Sequence, residues 1–424
     1  MGRSRQTTVL GDPRRVDPRP GRPKIVTFPA ICVRAAIVVV LTATAAGCDG
    51  GAEDSVLEST PEVIRTAGEE GWTVKNADTE EIRPAPPEIS GGLAYAIADG
   101  EDVVALDDAG AEVWRFEGGG EIVLAPTAAD GLVYFAGADE YMYALQGDTG
   151  EVAWRFETGD DLVYPPTVTD GTAYFGSGDG NVYAVDAETG EERWRSEAGA
   201  PVHFPVEVDE SGVFFADVDA TLHAVEAESG DDLWEVDVEG SQVSTLEIES
   251  GQLVFSTEDS VEAIEPATGD IAWEFETDAP VISAPVISED AVYVAAEDAV
   301  YGVESESGEE MWAFDPGEEV VSAPVLAGDA LLVSGVEGLY NVEASSGDQT
   351  WEFAPGDELT SAPVVAGDQI YVSGLEGVYG VELSSGDTSL DVDVGQRPVS
   401  PPIVFEDFLL YWDKGADLHA IDIE

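Results

Sequence analysis

The side chains able to do chemistry are few in kind and lopsided in number. The chain of 424 residues has two cysteines and three histidines, with 88 Asp and Glu against 17 Lys and Arg. Both cysteines, Cys32 and Cys48, precede residue 72, so the rest of the chain can form neither a disulfide nor a thiolate metal site. His203, His223 and His419 are the candidate bases or ligands. His223 and His419 each sit in Leu-His-Ala, at the repeat position that Tyr143 and Tyr183 fill elsewhere, which reads as strand substitution. No Ser/His/Asp arrangement stands out. The stretch 176–180, Gly-Ser-Gly-Asp-Gly, joins two strand-like runs rather than a strand and a helix, so it is no phosphate loop. Calcium is the cofactor the carboxylates could hold. Asp179-Gly180-Asn181, however, falls short of the ligand spacing of an EF-hand loop and reads as a hairpin turn.

These residues sit in a repeat. Residues 165–199 hold three short β-type runs (166–168, 173–175 and 182–185) and a fourth around Trp194. Asp170-Gly171, 178–181 and Glu188-Thr189-Gly190 separate them, and such pairs between alternating apolar residues are strong hairpin signals. One such meander of four strands leaves an apolar face bare. The chain therefore repeats it. Trp72, Trp114, Trp154, Trp194, Trp234, Trp273, Trp312 and Trp351 follow at spacings of 42, 40, 40, 40, 39, 39 and 39, and the next step lands on Leu390. A period near 40 of short strands means a propeller or a related β array. The run 400–424 has three strand-like stretches and no Trp strand, whereas the first Trp strand precedes any such set. The N-terminal strand is expected to complete the last unit and tie a ring shut. The expectation is an all-β propeller of antiparallel four-stranded blades, nine by count.

The motif Ala-Val-Asp-Ala-Glu-Thr-Gly-Glu-x-x-Trp, present at 184–194 and echoed at 144–154, 224–234 and 263–273, resembles the PQQ-like β-propeller repeat family. The likeness runs from about Trp72 to the C-terminus and extends to the outer-membrane-assembly lipoprotein, an interaction scaffold. Eight blades are typical of the family, so eight stands as the alternative to nine. The resemblance implies that each indole packs on the Gly-containing peptide of the neighbouring blade. That makes Gly150, Trp154, Gly190, Trp194, Gly230, Trp234, Gly269, Trp273, Gly308, Trp312, Gly347 and Trp351 blade-docking residues, with Leu390 marking the weakest dock. A dehydrogenase of this family would be expected to carry adjacent cysteines over its quinone and insertions between repeats. Neither is seen from Trp72 onward, so no catalytic residue and no PQQ site is carried over.

The N-terminal part reads differently. Residues 1–24 are basic and Pro-rich, and 35–47 form an apolar, small-residue run with Arg34 before it, as in a signal peptide. The run ends Ala45-Ala46-Gly47-Cys48-Asp49, which looks like a lipobox and makes Cys48 the lipidation candidate. The expected organisation is an extension and signal peptide at 1–47, an acidic tether at 48–71 and the propeller at 72–424. The extension is long for a signal peptide, which points to a later translation start near Val26 or Val33. From Cys48 onward nine basic residues face 86 acidic ones, a formal charge of −77. Such a shell repels itself at low salt and is a salt-loving organism's device, here assigned to a halophilic archaeon. It excludes nucleic-acid binding, which needs a basic face.

One patch departs from the repeat. Ahead of the first strand of each unit, later blades show Ser283-Ala284, Ser322-Ala323 and Ser361-Ala362, whereas two earlier ones show Tyr164 and His203-Phe204. These aromatic groups would lie toward one mouth of the ring, as a partner or ligand site or as a plug of the channel. Taken together, the expectation is a non-enzymatic protein held by lipid at the extracytoplasmic face of the membrane, or secreted. Its propeller would bind protein partners. The alternatives are a PQQ- or metal-dependent dehydrogenase and an extracellular solute-binding sensor.

Overall fold

The computed structural model describes residues 63–64, 72–74 and 87–423, apart from 99, 108–109, 119, 123, 239–243, 250 and 416. The stretch 1–47 read above as extension and signal peptide, the lipobox-like run ending at Cys48 and most of the expected tether lie outside these residues. All described residues belong to one compact unit, 31–424. They form strands and turns with no helix, hence no helix long and apolar enough to cross a membrane.

Blade 3 shows how the repeat folds. Its strands are Thr167–Thr169, Thr172–Gly176, Asn181–Asp186 and Glu192–Glu197, paired antiparallel in that order. Asp170 and Gly171 both take positive φ, 48° and 69°, the conformation a two-residue hairpin needs to match strand twist. The second strand is buried on both faces, and the fourth alternates buried Trp194 and Ser196 with exposed neighbours. Continuous apolar runs thus become inner strands sandwiched between blades, and alternating runs become the outer strand.

There are nine such sheets, which decides between eight and nine. Eight have four strands and are numbered blades 1 to 8 in chain order, their first strands being Glu88–Ser90, Thr127–Ala129, Thr167–Thr169, Glu207–Asp209, Glu247–Glu249, Val286–Ile287, Val325–Ala327 and Val364–Ala366. First strands of neighbouring blades approach one another (blades 1 and 2, 3 and 4, 4 and 5, 5 and 6), which places them around the axis of the propeller. Blade 9 combines Ile403–Phe405, Phe408–Trp412 and Leu418–Asp422 with Trp72–Val74 from the other end of the described chain. The register is Trp72 opposite Ala420, Thr73 opposite His419 and Val74 opposite Leu418. The expected closure is therefore present, with one difference. Val63–Ile64, read from the sequence as part of the tether, pairs on Trp72–Val74 as a fifth strand.

Blade-to-blade docking repeats around the ring. Trp114 sits on Gly150, Trp154 on Gly190, Trp194 on Gly230, Trp234 on Gly269, Trp273 on Gly308, Trp312 on Gly347 and Trp351 on Gly386. Each indole N–H donates to a carbonyl of the same turn, as Trp194 does to Ala227 at 2.9 Å. A methyl group on Gly230 would lie 2.6 Å from the Trp194 ring, and Gly230 has φ of 73°, so only glycine suits both needs. In blade 8 the indole position holds Leu390, which packs in the cluster between blades 8 and 9. Blade 9 draws its third and fourth strands from opposite parts of the chain, so no tight turn joins them and no glycine awaits an indole. Leu390 therefore stands where the receptor is missing.

The change of period from 40 to 39 has a single location. In blades 2, 3 and 4 the turn between second and third strands closes Gly137 to Tyr141, Ser177 to Asn181 and Asp217 to Thr221. In blades 5 to 8 it closes Thr257 to Ser260, Ala296 to Ala299, Gly335 to Gly338 and Gly374 to Gly377, one residue shorter.

Candidate interaction site at one mouth of the ring

In an antiparallel four-stranded blade, the link entering the first strand and the turn between second and third strands emerge at the same end. Hydrogen bonds tie them: Gly178 N–H donates to Asp161 carbonyl at 2.9 Å, Val202 to Ser177 at 3.0 Å and Val218 to Pro201 at 2.9 Å. Tyr164, His203 and Phe204 all lie on these links, at one mouth. The Trp–Gly docking turns, between third and fourth strands, lie toward the other.

Just before the first strand each link bends at a single residue. That residue is Leu124, Tyr164 or Phe204 in blades 2 to 4, and Ser283, Ser322, Ser361 or Ser400 in blades 6 to 9. Ser244 of blade 5 occupies the matching place. The serines are local fasteners. Ser244, Ser361 and Ser400 hydroxyls accept from the amides of Ser256, Ser373 and Trp412 at 2.9–3.0 Å, and Ser283 and Ser322 donate to the next carbonyl. Ser283, Ser322, Ser361 and Ser400 are buried, whereas Leu124, Tyr164 and Phe204 are only half buried. Partial burial still pushes the Tyr164 hydroxyl's pKa up. The match at the bend is thus Phe204, not His203, and Leu124 is a third member that sequence reasoning missed. Its signal was present in Leu124-Ala125-Pro126 beside Ser283-Ala284-Pro285.

His203 stands one residue before Phe204. Among the described residues its Nε2 has no hydrogen-bond partner, and a carboxylate oxygen of half-exposed Asp161 lies 4.0 Å away. Gly178 closes the space beneath: a methyl group there would lie 2.7 Å from Asp161 Oδ1 and 3.1 Å from His203 Nε2.

The other two histidines are held as strand residues. His223 stacks on Phe215 and His419 on Tyr411, each at 5.0 Å between ring centroids, just as Tyr143 stacks on Phe135 at 4.9 Å. Each ring then meets a carboxylate from its own turn. Tyr143 donates to Asp139 and Tyr183 to Asp179, both at 2.6 Å, while His223 faces Asp217 at 3.3 Å and His419 faces Asp413 at 2.9 Å. Burial pushes the Tyr143 hydroxyl up to about 12, helped by the Asp139 charge. Burial works against charge on Asp179, but hydrogen bonds from Tyr183, Asn181 and the Gly159 amide outweigh it and hold that carboxyl below its usual range. Asp413, Asp417 and His419 bring three potential ligand atoms within 4.8 Å of one another. Blade 4 builds the same frame with Thr221 in the place of Asp417. In both blades the first Asp caps the turn's amides, Asp219 and Thr221 onto Asp217, Gly415 and Asp417 onto Asp413. The frame is a turn cap before it is a ligand set.

Comparison with known proteins follows the same lines. A family profile described as outer membrane protein assembly factor BamB matches residues 62–165, 162–252 and 248–424. Among curated proteins, none matches by sequence. Among solved structures, BamB from Moraxella catarrhalis superposes with a TM-score of 0.54 at 15% identity, over 70% of this chain and 95% of its own. The computationally designed Ika8 protein superposes at 0.56 with 12% identity, over 82% of this chain and 98% of its own. A quinohemoprotein alcohol dehydrogenase, ADHIIG from Pseudomonas putida HK5, reaches 0.49 at 12% identity, over 70% and 73%. At such identities these likenesses speak to fold alone.

Proposed function

The chain belongs to the family of the outer membrane protein assembly factor BamB, and from that premise we propose a non-enzymatic platform that binds partner proteins. The observation that carries this reading is the mouth of blades 2 to 4. There a rigid ring presents large half-buried side chains where blades 6 to 9 keep buried serines. The family description supports it, since an assembly factor works by holding other proteins. So does the use of the recurrent residues: the indoles are taken up in docking, and His223 and His419 in stacking. The platform is anchored through a lipid on Cys48 at the extracytoplasmic face of the membrane, in a salt-loving cell. It takes no quinone and no calcium.

Two measurements test this. An absorption spectrum with elemental analysis of the protein purified in multimolar salt is expected to show no quinone band and no stoichiometric metal. A quinone band with one calcium per chain would overturn the platform reading in favour of a dehydrogenase. Cys48→Ser is expected to move the protein from the membrane fraction to the medium, and unchanged fractionation would refute the anchor.

A further inference from the structure

The acid on this mouth is spread evenly, and so are half-buried aliphatic groups such as Ile282, Val321, Val336 and Leu375, but the large groups at the bend are not. The links and second turns of blades 2 to 4 (118–126, 137–140, 158–166, 177–180, 198–206 and 217–220) hold eight Asp and Glu and no Lys or Arg. Those of blades 6 to 8 (277–285, 296–299, 315–324, 335–338, 354–363 and 374–376) hold ten and none. Negative charge therefore selects the sign of a partner around the whole mouth without selecting a place. The place is selected by Leu124, Tyr164 and Phe204, half buried at the same bend of three adjacent blades, and by Val218 on the neighbouring turn, 45% exposed. At a position where the same fold buries a serine, these larger groups pack partly on their own blades, as Phe204 does against the cluster of Phe214 and Leu246, and keep part of their surface exposed, where another surface can add contact. Tyrosine is also among the residue types that carry most energy in protein contacts, while rim charges set the rate and sign of encounter.

We propose that the mouth of blades 2 to 4 docks a protein segment that presents an apolar or aromatic anchor flanked by lysine or arginine. The proposal rests on the platform reading and adds the chemistry of the partner. The anchor covers Tyr164, Phe204 and their neighbours. The flanking cations face the acidic links, where half-exposed Asp161 stands beside His203.

The test uses the full chain and two labelled probes, Lys-Leu-Trp-Leu-Lys-Lys and Glu-Leu-Trp-Leu-Glu-Glu, followed by fluorescence anisotropy at the lowest salt that keeps the fold. The basic probe is expected to bind about tenfold or more tighter than the acidic one. Tyr164→Ser with Phe204→Ser, which installs the residue later blades carry, is expected to weaken the basic probe by about tenfold or more. Ile271→Ser, at a 55% exposed site on the outer strand of blade 5, is expected to leave binding unchanged. If the double variant melts early, Val218→Ser and Leu124→Ser replace it, each with a smaller loss expected. Equal binding of the two probes, no binding of the basic one, or binding indifferent to the mouth variants would overturn the proposal. Those results would leave the platform itself to crosslinking at the mouth, so the two failures are distinguishable.

Discussion

Blades 2 to 4 and blades 6 to 8 are built from one repeat and solve the same packing problem in the same way. In blades 2 to 4, and in blades 6 and 7, an indole seats on the next blade's glycine and donates to a carbonyl of its turn, while Leu390 takes the indole's place in blade 8. They part company at the opposite mouth. The turn between second and third strands is one residue longer in blades 2 to 4. In blade 3 the carboxylate for the third-strand ring comes from that turn, Asp179 to Tyr183. In blades 7 and 8 it comes from the preceding link, Glu318 to Tyr340 and Asp357 to Tyr379. The bend residue changes with it, from a buried serine to a large half-buried group. What keeps the ring together is held constant, and what faces outward at one mouth is free to vary.

The comparison can be broken at several strengths. Salt withdrawal should act on both halves alike: with a formal charge of −77 from Cys48 onward, dilution to about 0.01 M lengthens screening to about 30 Å and the whole ring should unfold in one transition. Two transitions in a salt titration followed by circular dichroism would show that the halves are not one cooperative unit. Trp194→Ala and Trp312→Ala should each cost about 3–5 kcal/mol in denaturant unfolding, with no advantage to either half. Leu390→Ala should cost less than either. At the mouth the halves should diverge. Ser361→Tyr removes the acceptor for the Ser373 amide in a buried site and should cost about 1–3 kcal/mol. Tyr164→Ser should stay within about 1 kcal/mol of the parent, and equal penalties would erase the distinction.

The smallest effect concerns Glu262 of blade 5, at the boundary between the halves. It occupies the third-strand position where other blades place a ring, and burial first, then the Glu274 charge opposite, raises its carboxyl above the usual range. A folded-state value above the unfolded one favours the protonated form. Its contribution is therefore present below the unfolded value and is lost as pH rises through the folded one. Glu262→Gln should raise the melting temperature at neutral pH, and the gain should shrink toward pH 4; a gain that grows on acidification would contradict the assignment.

Most of the ring was legible in the residues because its rules are local and repeated. From Trp154 to Trp351 a Trp every 39 or 40 residues, with Thr-Gly or Ser-Gly before it, announced the docking turns. The run 400–424, with three strand-like stretches and no fourth, Trp-bearing strand after them, announced closure by the strand at Trp72. Val63–Ile64 was not legible as a strand, since two residues inside an acidic stretch carry no period and gain their ladder only once Trp72–Val74 is in place. The mouth was half legible. Tyr164 and Phe204 stand out by type, but Leu124 is an ordinary residue whose meaning appears only when the bend is aligned across blades. The pairing of His223 with Asp217 and of His419 with Asp413 depends on how a four-residue turn folds back on its strand.

The central claim is that one mouth of the ring, at blades 2 to 4, is where partners bind. His203 and Thr360 hold the same repeat position, one residue before the bend, and both are half buried. A photocrosslinking amino acid placed at each in turn, in the full chain in its native cells, compares the two halves at matched sites. Discrete protein adducts from position 203 and none from 360 are the predicted result. Adducts of equal yield from both positions, or from 360 alone, would contradict the account.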